Sequence, residues 1–267
     1  VHDSAIGIFD SGIGGLTVFR EIAGILPHED LIYLGDTARV PYGTKSAETV
    51  TRYSLQNVRF LLEQKVKMAV VACNTASAFA LEELRKHYPV PIVGVIEPGA
   101  KGALQATRSK RIGVIGTEGT IKSEAYARNL VGREPHVFVA SAPCPLFVPL
   151  VEEGWLQGEV AERIAREYLQ KLLAQKIDTL ILGCTHYPLL KPTLQKVVGN
   201  EVALIDSAEE TAKEVAFLLA QKGLMRRENK TPRREFFVTD SPERFRRVGE
   251  IFLKNSLKNV RHVTIEG

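Results

Sequence analysis

Ala69-Val70-Val71-Ala72-Cys73-Asn74-Thr75 and Leu180-Ile181-Leu182-Gly183-Cys184-Thr185-His186 read as one phrase written twice, 111 residues apart. Each is a short apolar run that breaks at a cysteine and continues into hydrogen-bonding residues. A short apolar run bounded by turn chemistry reads as a buried strand. The same relation holds upstream, where Ile6-Gly7-Ile8-Phe9-Asp10-Ser11-Gly12 returns 106 residues later as Ile112-Gly113-Val114-Ile115-Gly116-Thr117-Glu118. Downstream, Gly94-Val95-Ile96-Glu97 answers to Leu204-Ile205-Asp206-Ser207 at a similar offset. Three strand ends in one order at nearly one spacing predict two related α/β units. Each places a cysteine at the carboxyl end of a strand entering a helix, where open α/β sheets bind ligands.

Around these runs, β-branched segments alternate with amphipathic ones, the pattern of mainly parallel sheets. Strands are expected at Ala5–Phe9, Leu31–Gly35, Met68–Ala72, Ile92–Ile96, Arg111–Ile115, His136–Ala140, Thr179–Gly183 and Val202–Ile205. Helical spacing fits Ser46–Gln64, with Val50, Tyr53, Val58, Leu61 and Leu62 on one stripe, and also Gln157–Gln175 and Ser207–Lys222. The tail breaks the tandem. A basic linker from Leu224 to Arg234 leads to a strand at Phe236–Thr239, a helix at Pro242–Lys254 and a strand at Val260–Ile265.

The bulk properties set the frame. A chain of 267 residues, 45% hydrophobic and 25% charged, is ordinary for a globular protein with a real core. Its net charge of +4 favours an anionic metabolite without calling for nucleic acid. The arginines of the linker and of Arg244–Arg247 lack interleaved aromatics and read as a solvated face. No apolar run reaches the roughly 20 residues of a membrane span, and the stretch from Val1 to Gly15 reads as strand and turn, not as a signal sequence. Three cysteines make a disulfide framework improbable and a cytoplasmic location the expectation.

Chemistry centres on the repeated cysteines. Two thiols on opposite sides of one carbon could remove a proton from one face and return it to the other, with no electron-sink cofactor. Helix N-termini lower a thiol pKa, so both cysteines are expected to favour thiolate. A single cysteine ending an apolar strand reads equally as a small buried hydrophobe; the mirrored pair tips the reading toward function. Asp10-Ser11-Gly12-Ile13-Gly14-Gly15 lacks the third glycine of a dinucleotide fingerprint and the Lys-Ser/Thr ending of a P-loop. Its glycines suit the approach of a carboxylate, with Asp10 facing an ammonium or a thiol; the plainer alternative makes Asp10 a helix N-cap. Glu152 and His186 could relay protons for one thiol or serve as surface and cap residues. Cys184-Thr185-His186 has no Cys-x-x-Cys partner, so no metal is expected. Cys144, between Pro143 and Pro145, has no counterpart in the repeat and reads as structural.

Ala72-Cys73-Asn74-Thr75-Ala76-Ser77 and Gly183-Cys184-Thr185-His186-Tyr187-Pro188 closely resemble the corresponding motifs of glutamate racemases, in the cofactor-independent aspartate/glutamate racemase family. Gly7 to Thr17 and Gly35-Asp36-Thr37-Ala38-Arg39-Val40-Pro41-Tyr42-Gly43 match as well, and the likeness runs from Ile6 to about Gly223. The resemblance implies that Cys73 takes the α-proton of D-glutamate and Cys184 that of L-glutamate. Asp10 and His186 are similar to the residues that assist these thiols, and Glu152 to a further helper. Asp10, Ser11, Pro41, Tyr42, Gly43, Asn74, Thr75, Thr117, Thr120, Thr185 and His186 stand where the family holds substrate. The implied fold has two pseudo-symmetric α/β domains with the active site in their cleft. One is formed by residues 1–97 plus 207–267, the other by residues 98–206. The resemblance further implies a homodimer, no cofactor, and a role in making D-glutamate for peptidoglycan.

Alternatives remain at this level. An aspartate or hydantoin racemase would share the thiol pair, since side-chain length selectivity is not readable from spacing. A thiol hydrolase would use one cysteine as nucleophile with His186 as base. A non-catalytic amino-acid-binding protein would bind without either thiol.

Overall fold

A computed structural model describes residues 2–227 and 230–265. In chain order it runs β1 (Ile6–Asp10), α1 (Leu16–Ile25), β2 (Leu31–Gly35), α2 (Ala47–Glu63), β3 (Met68–Val71), α3 (Asn74–His87), β4 (Ile92–Gly94) and α4 (Ile96–Ala106). The second run is β5 (Arg111–Gly116), α5 (Glu118–Lys122), α6 (Ala125–Arg133), β6 (Phe138–Pro143), α7 (Phe147–Glu152), α8 (Glu159–Leu173), β7 (Thr179–Gly183), α9 (Lys191–Val198) and β8 (Ala203–Asp206). The chain then returns through α10 (Ser207–Gln221), β9 (Arg234–Val238), α11 (Pro242–Leu253) and β10 (Val260–His262). Among the described residues no helix is long and apolar enough to cross a membrane.

The repeat read from sequence is a repeat of topology. One sheet has the order β10-β9-β2-β1-β3-β4 and the other β6-β5-β7-β8. The order β2-β1-β3-β4 therefore matches β6-β5-β7-β8 strand for strand, with β9 and β10 added beyond β2. Every strand pairing is parallel. Parallel sheets are covered on both faces, which is why β1, β2, β3 and β7 are buried throughout and, apart from Asp10 and Thr179 at strand ends, apolar instead of alternating. One apolar cluster fills the space between α1, α10 and the four-stranded half; a second lies under α2 and α3 on the other face of the six-stranded sheet.

Register sets the site. Asp10 pairs with Gly35 at the carboxyl ends of β1 and β2, and Gly116 lies level with Gly183 and Pro143 on β5, β7 and β6. Cys73 and Cys184 thus emerge from equivalent ends of the two sheets. The returning tail is pinned to the six-stranded half. Buried Glu29 accepts from Lys67 Nζ at 2.6 Å and from the Arg226 backbone N–H at 2.8 Å, while Arg226 and Arg233 both pair with Asp30. The linker thus enters on ion pairs instead of lying as a purely solvated face, although its residues 228 and 229 fall outside the described residues.

Some expected boundaries moved. β6 starts at Phe138, not His136, because the Val137 N–H turns back to the Glu134 carbonyl at 3.1 Å. It then runs on to Pro143, carrying Cys144 to the carboxyl edge of the sheet. β4 stops at Gly94, since Ile96 already opens α4. β10 ends at His262 instead of Ile265, as an edge strand paired only with β9.

Candidate active site

The strand ends of the two sheets enclose one small cavity of about 80 Å³, into which both Cys73 and Cys184 face. Ser11, Gly12, Ile13, Val40, Pro41, Tyr42, Gly43, Asn74 and Thr75 line it from one side, and Thr117, Val148, Glu152, Thr185 and His186 from the other. Pockets for drug-sized ligands are roughly 300–1,000 Å³, so this cleft is tightly closed. A wider groove of about 740 Å³ lies between α1, β9 and the end of α11. It holds no thiol, and Arg20 and Arg233 there are already paired with Glu21 and Asp30.

Cys73 is the N-cap of α3, its Sγ accepting the Ala76 N–H at 3.5 Å. The expectation of a thiolate fails for this residue: burial, reinforced by Asp10, pushes the thiol up to about 12 against the pull of that N–H. Desolvation of a buried anion exceeds what one helix end returns. At Cys184 the helix entry differs in detail: β7 feeds a 3₁₀ turn at Tyr187–Leu190 that continues directly into α9, and what the Cys184 Sγ meets is His186 Nδ1 at 3.9 Å. The two thiols are mirrored in position but differently served.

Asp10 is fully buried behind the cavity wall. Its Oδ2 accepts the Gly12 N–H at 2.9 Å, tying the glycine turn, whereas α1 takes Gly15 as N-cap with no side-chain bond. Asp10 Oδ1 has no hydrogen-bond partner. Burial raises the Asp10 carboxyl above the ordinary range, against His186 and the Gly12 N–H. On the other side, His186 Nε2 lies 3.1 Å from Glu152 Oε1. Burial alone would drive the imidazolium pKa down; the Cys184 sulfur and the Glu152 carboxylate outweigh it and carry His186 up to about 10. Glu152 is lowered in turn, chiefly by its bond to His186, with Arg244 adding to it.

This arrangement has a measurable consequence for stability. His186 has an ordinary pKa of about 6.5 in unfolded chains and about 10 in the fold, so the folded state binds the extra proton. That contribution is fully present below about pH 6.5 and disappears as pH rises toward 10. His186→Asn is expected to flatten the fall in unfolding free energy between pH 6.5 and 9, followed by urea titration. Equal slopes in the two proteins would rule out a buried imidazolium.

The remaining residues brace the halves against each other. Thr75 Oγ1 lies 2.9 Å from Thr117 Oγ1 and 3.1 Å from Thr120 Oγ1. Thr120 stands behind this wall and does not line the cavity. Thr17 Oγ1 donates to the Thr185 carbonyl at 3.0 Å. Tyr42 is seated by Asp36 and Asn57, and Asp36 is held by Arg39. Asn74 accepts from the Tyr126 hydroxyl at 2.7 Å through Oδ1, leaving Nδ2 buried without a partner. Sequence reasoning missed Val40, Val148, Tyr126 and Arg244. Val148, Tyr126 and Arg244 carry no local signal, because each is brought to the site by a distant element; Val40 could have been found as the chain neighbour of Pro41 in the Gly35–Gly43 motif. Cys144 is buried and caps no helix; its carbonyl accepts the Tyr187 hydroxyl at 2.8 Å, a structural role. Among the described residues no three His, Cys, Asp or Glu side chains are grouped to hold a metal ion.

Comparison with known proteins follows the same lines. Residues 13–215 match the Asp/Glu/Hydantoin racemase family. A glutamate racemase of Geobacter metallireducens is 57% identical over 262 residues, covering 98% of this chain and 97% of that protein. The crystal structure of glutamate racemase from Francisella tularensis in complex with D-glutamate superposes with a TM-score of 0.93 at 40% identity, covering 100% of this chain and 99% of that one. A glutamate racemase isoform of Bacillus anthracis gives a TM-score of 0.95 at 41% identity, with 99% of both chains covered.

Proposed function

Because the chain belongs to the Asp/Glu/hydantoin racemase family, we propose that it interconverts L- and D-glutamate by passing the α-proton between two thiols. The chain is an amino-acid racemase, an isomerase, and glutamate is its substrate. The single observation that carries the two-thiol reading is that Cys73 and Cys184 face one cavity from the matching ends of two sheets.

Starting from L-glutamate, Cys184 as thiolate removes the α-proton. The buried Cys73 thiol then delivers its own proton to the opposite face of the carbanion, giving D-glutamate. At the end Cys184 carries a proton and Cys73 has lost one, so the reverse reaction begins from the product state. His186, held as an imidazolium by Glu152, is placed to stabilise the Cys184 thiolate; Asp10, with its raised carboxyl, is placed to exchange a proton with Cys73. Ser11, Pro41, Tyr42, Gly43, Asn74, Thr75, Thr117 and Thr185 hold the substrate. The unpartnered Asn74 Nδ2 is a donor suited to a carboxylate oxygen. Thr120 acts by fixing Thr75 and Thr117. Because the closed cavity is small, the halves must part to admit glutamate. The division into residues 1–97 plus 207–267 and residues 98–206 is supported by sheet membership, since the tail strand β9 pairs with β2 and β10 with β9.

Three wider readings complete the proposal. The protein works in the cytoplasm and supplies D-glutamate for peptidoglycan, and it does so as a homodimer. Exposed Leu146, Trp155 and Val160 around α7 and the start of α8 support a second copy as their cover; sedimentation of the purified chain as a monomer would remove that part.

The direct test uses purified protein in deuterium oxide with no added cofactor. Each glutamate enantiomer is expected to acquire solvent deuterium at Cα as it becomes the other, and L-aspartate to turn over far more slowly. Conversion with the original α-proton retained in every turnover would sink the thiol relay; faster turnover of aspartate would transfer the reading to the sister activity.

A further inference from the structure

α11 carries Arg244, Arg246 and Arg247, a run whose spacing reads as a solvated face. Arg244 does not follow that pattern. Its Nη2 lies 2.9 Å from Glu152 Oε2, while Glu152 Oε1 is the atom that meets His186 Nε2 at 3.1 Å. The two oxygens of one carboxylate are therefore divided between an arginine and the histidine that faces Cys184. The same helix also walls the histidine: the buried Phe252 ring stands edge-on to His186 with centroids 5.3 Å apart. α11 follows β9 and so belongs with the six-stranded sheet, whereas Glu152 on α7 and His186 after β7 belong with the four-stranded one. The chain Arg244–Glu152–His186–Cys184 thus crosses between the halves.

We propose that Arg244 is a positioning residue for the Cys184 base: it fixes the Glu152 carboxylate toward His186, and does so only when the halves are closed. The inference rests on the two-thiol reading above. A carboxylate with one free oxygen can rotate away from the imidazole or share it with water. A guanidinium on the second oxygen removes that freedom, because a charge-assisted bond has a preferred in-plane direction. Parting of the halves would withdraw Arg244 from Glu152, so closure over substrate and alignment of His186 become one event. The Arg244 side chain is about half exposed, and exposed ion pairs contribute little to folding. Its loss should therefore register in proton transfer and hardly in stability.

The test compares Arg244→Gln and Arg244→Lys with the unaltered full-length protein, using L- and D-glutamate with protium or deuterium at Cα. The two enantiomers are equal in energy, so kcat/KM must fall by the same factor in both directions. For Arg244→Gln that factor is expected to be roughly tenfold, the scale of one charge-assisted bond partly open to water. What distinguishes positioning from a general structural loss is how the barrier is divided. If the step at Cys184 is the one impaired, the primary isotope effect on kcat/KM rises for L-glutamate, which is deprotonated there. It falls toward one for D-glutamate, whose α-proton leaves at Cys73. Arg244→Lys, which keeps the charge, should recover part of the loss and move both isotope effects back. Isotope effects in Arg244→Gln equal to those of the unaltered protein would overturn the proposal, whatever the rate. Failure of the two-thiol reading itself would show separately, as absence of solvent deuterium at Cα in the unaltered protein.

Discussion

Replacing either Cys73 or Cys184 by alanine is expected to reduce racemisation by about 10²–10⁴-fold, the range for losing a positioned acid or base, while the fold persists. Both thiols are buried, at 6% and 5% exposure, but each sits at a turn beyond its strand, where removing a single sulfur leaves strand pairing untouched. The two substitutions should be equally severe in both directions, because one missing base blocks removal from one enantiomer and delivery to the other. Optical rotation of glutamate solutions, followed from each enantiomer, measures this directly. A hydrolase-like reading with one nucleophilic cysteine predicts a different outcome: one variant fully active, and a covalent intermediate trapped on the other thiol. Full activity in either alanine variant would end the two-base mechanism.

The second large effect is expected from Gly14→Ala. A methyl group there would lie 2.3 Å from Thr185 Oγ1 and 2.4 Å from His186 Nδ1, both across the cleft. The backbone at Gly14 is not in the left-handed region, so alanine itself is not strained. The conflict is wholly between the halves. Relief requires either that the halves stand apart or that His186 shifts from Cys184 and Glu152. Misplacement of about 1 Å in a catalytic arrangement can cost on the order of 10² in rate, and a loss of at least that size in kcat/KM is expected. Unfolding free energy should change much less, since opening the cleft relieves the contact. Gly24→Ala is the matched control. It lies on α1 with nothing within 4 Å of the added methyl, and should retain full activity. Gly24→Ala should also gain up to about 1 kcal/mol in stability from helix propensity. If Gly14→Ala kept its activity, close approach of the glycine turn to His186 would not be needed for catalysis.

These two sites show how unevenly the molecule could be read in advance. The cysteine pair was visible as a repeat, because strand and turn signals are local and both copies kept them. Gly14 was visible only as a member of a glycine-rich turn; its role depends on Thr185 and His186, about 170 residues further along. The helices expected at Ser46–Gln64 and Ser207–Lys222 formed almost as read, since their caps are local too: Ser46 accepts the Thr49 N–H, and Asp206 the Ala208 N–H. Where the reading erred, at the start of β6 and the end of β10, a turn contact or an unpaired sheet edge decided the boundary instead.

Sequence by itself determined that this chain builds two parallel α/β units, that their strand ends carry equivalent cysteines, and that its motifs belong to a family of racemases. Periodicity, turn residues and motif spacing act over a few residues at a time and survive in one dimension. Only the tertiary structure decided the protonation of Cys73, the partner of Glu152 and the rank of Thr120 as a brace behind the wall. Burial is a sum over everything packed around a group, and an ion pair such as Arg244–Glu152 joins residues 92 apart. The helix end that favours a Cys73 thiolate could be read from its neighbours in the chain; the desolvation that defeats it comes from the closed fold.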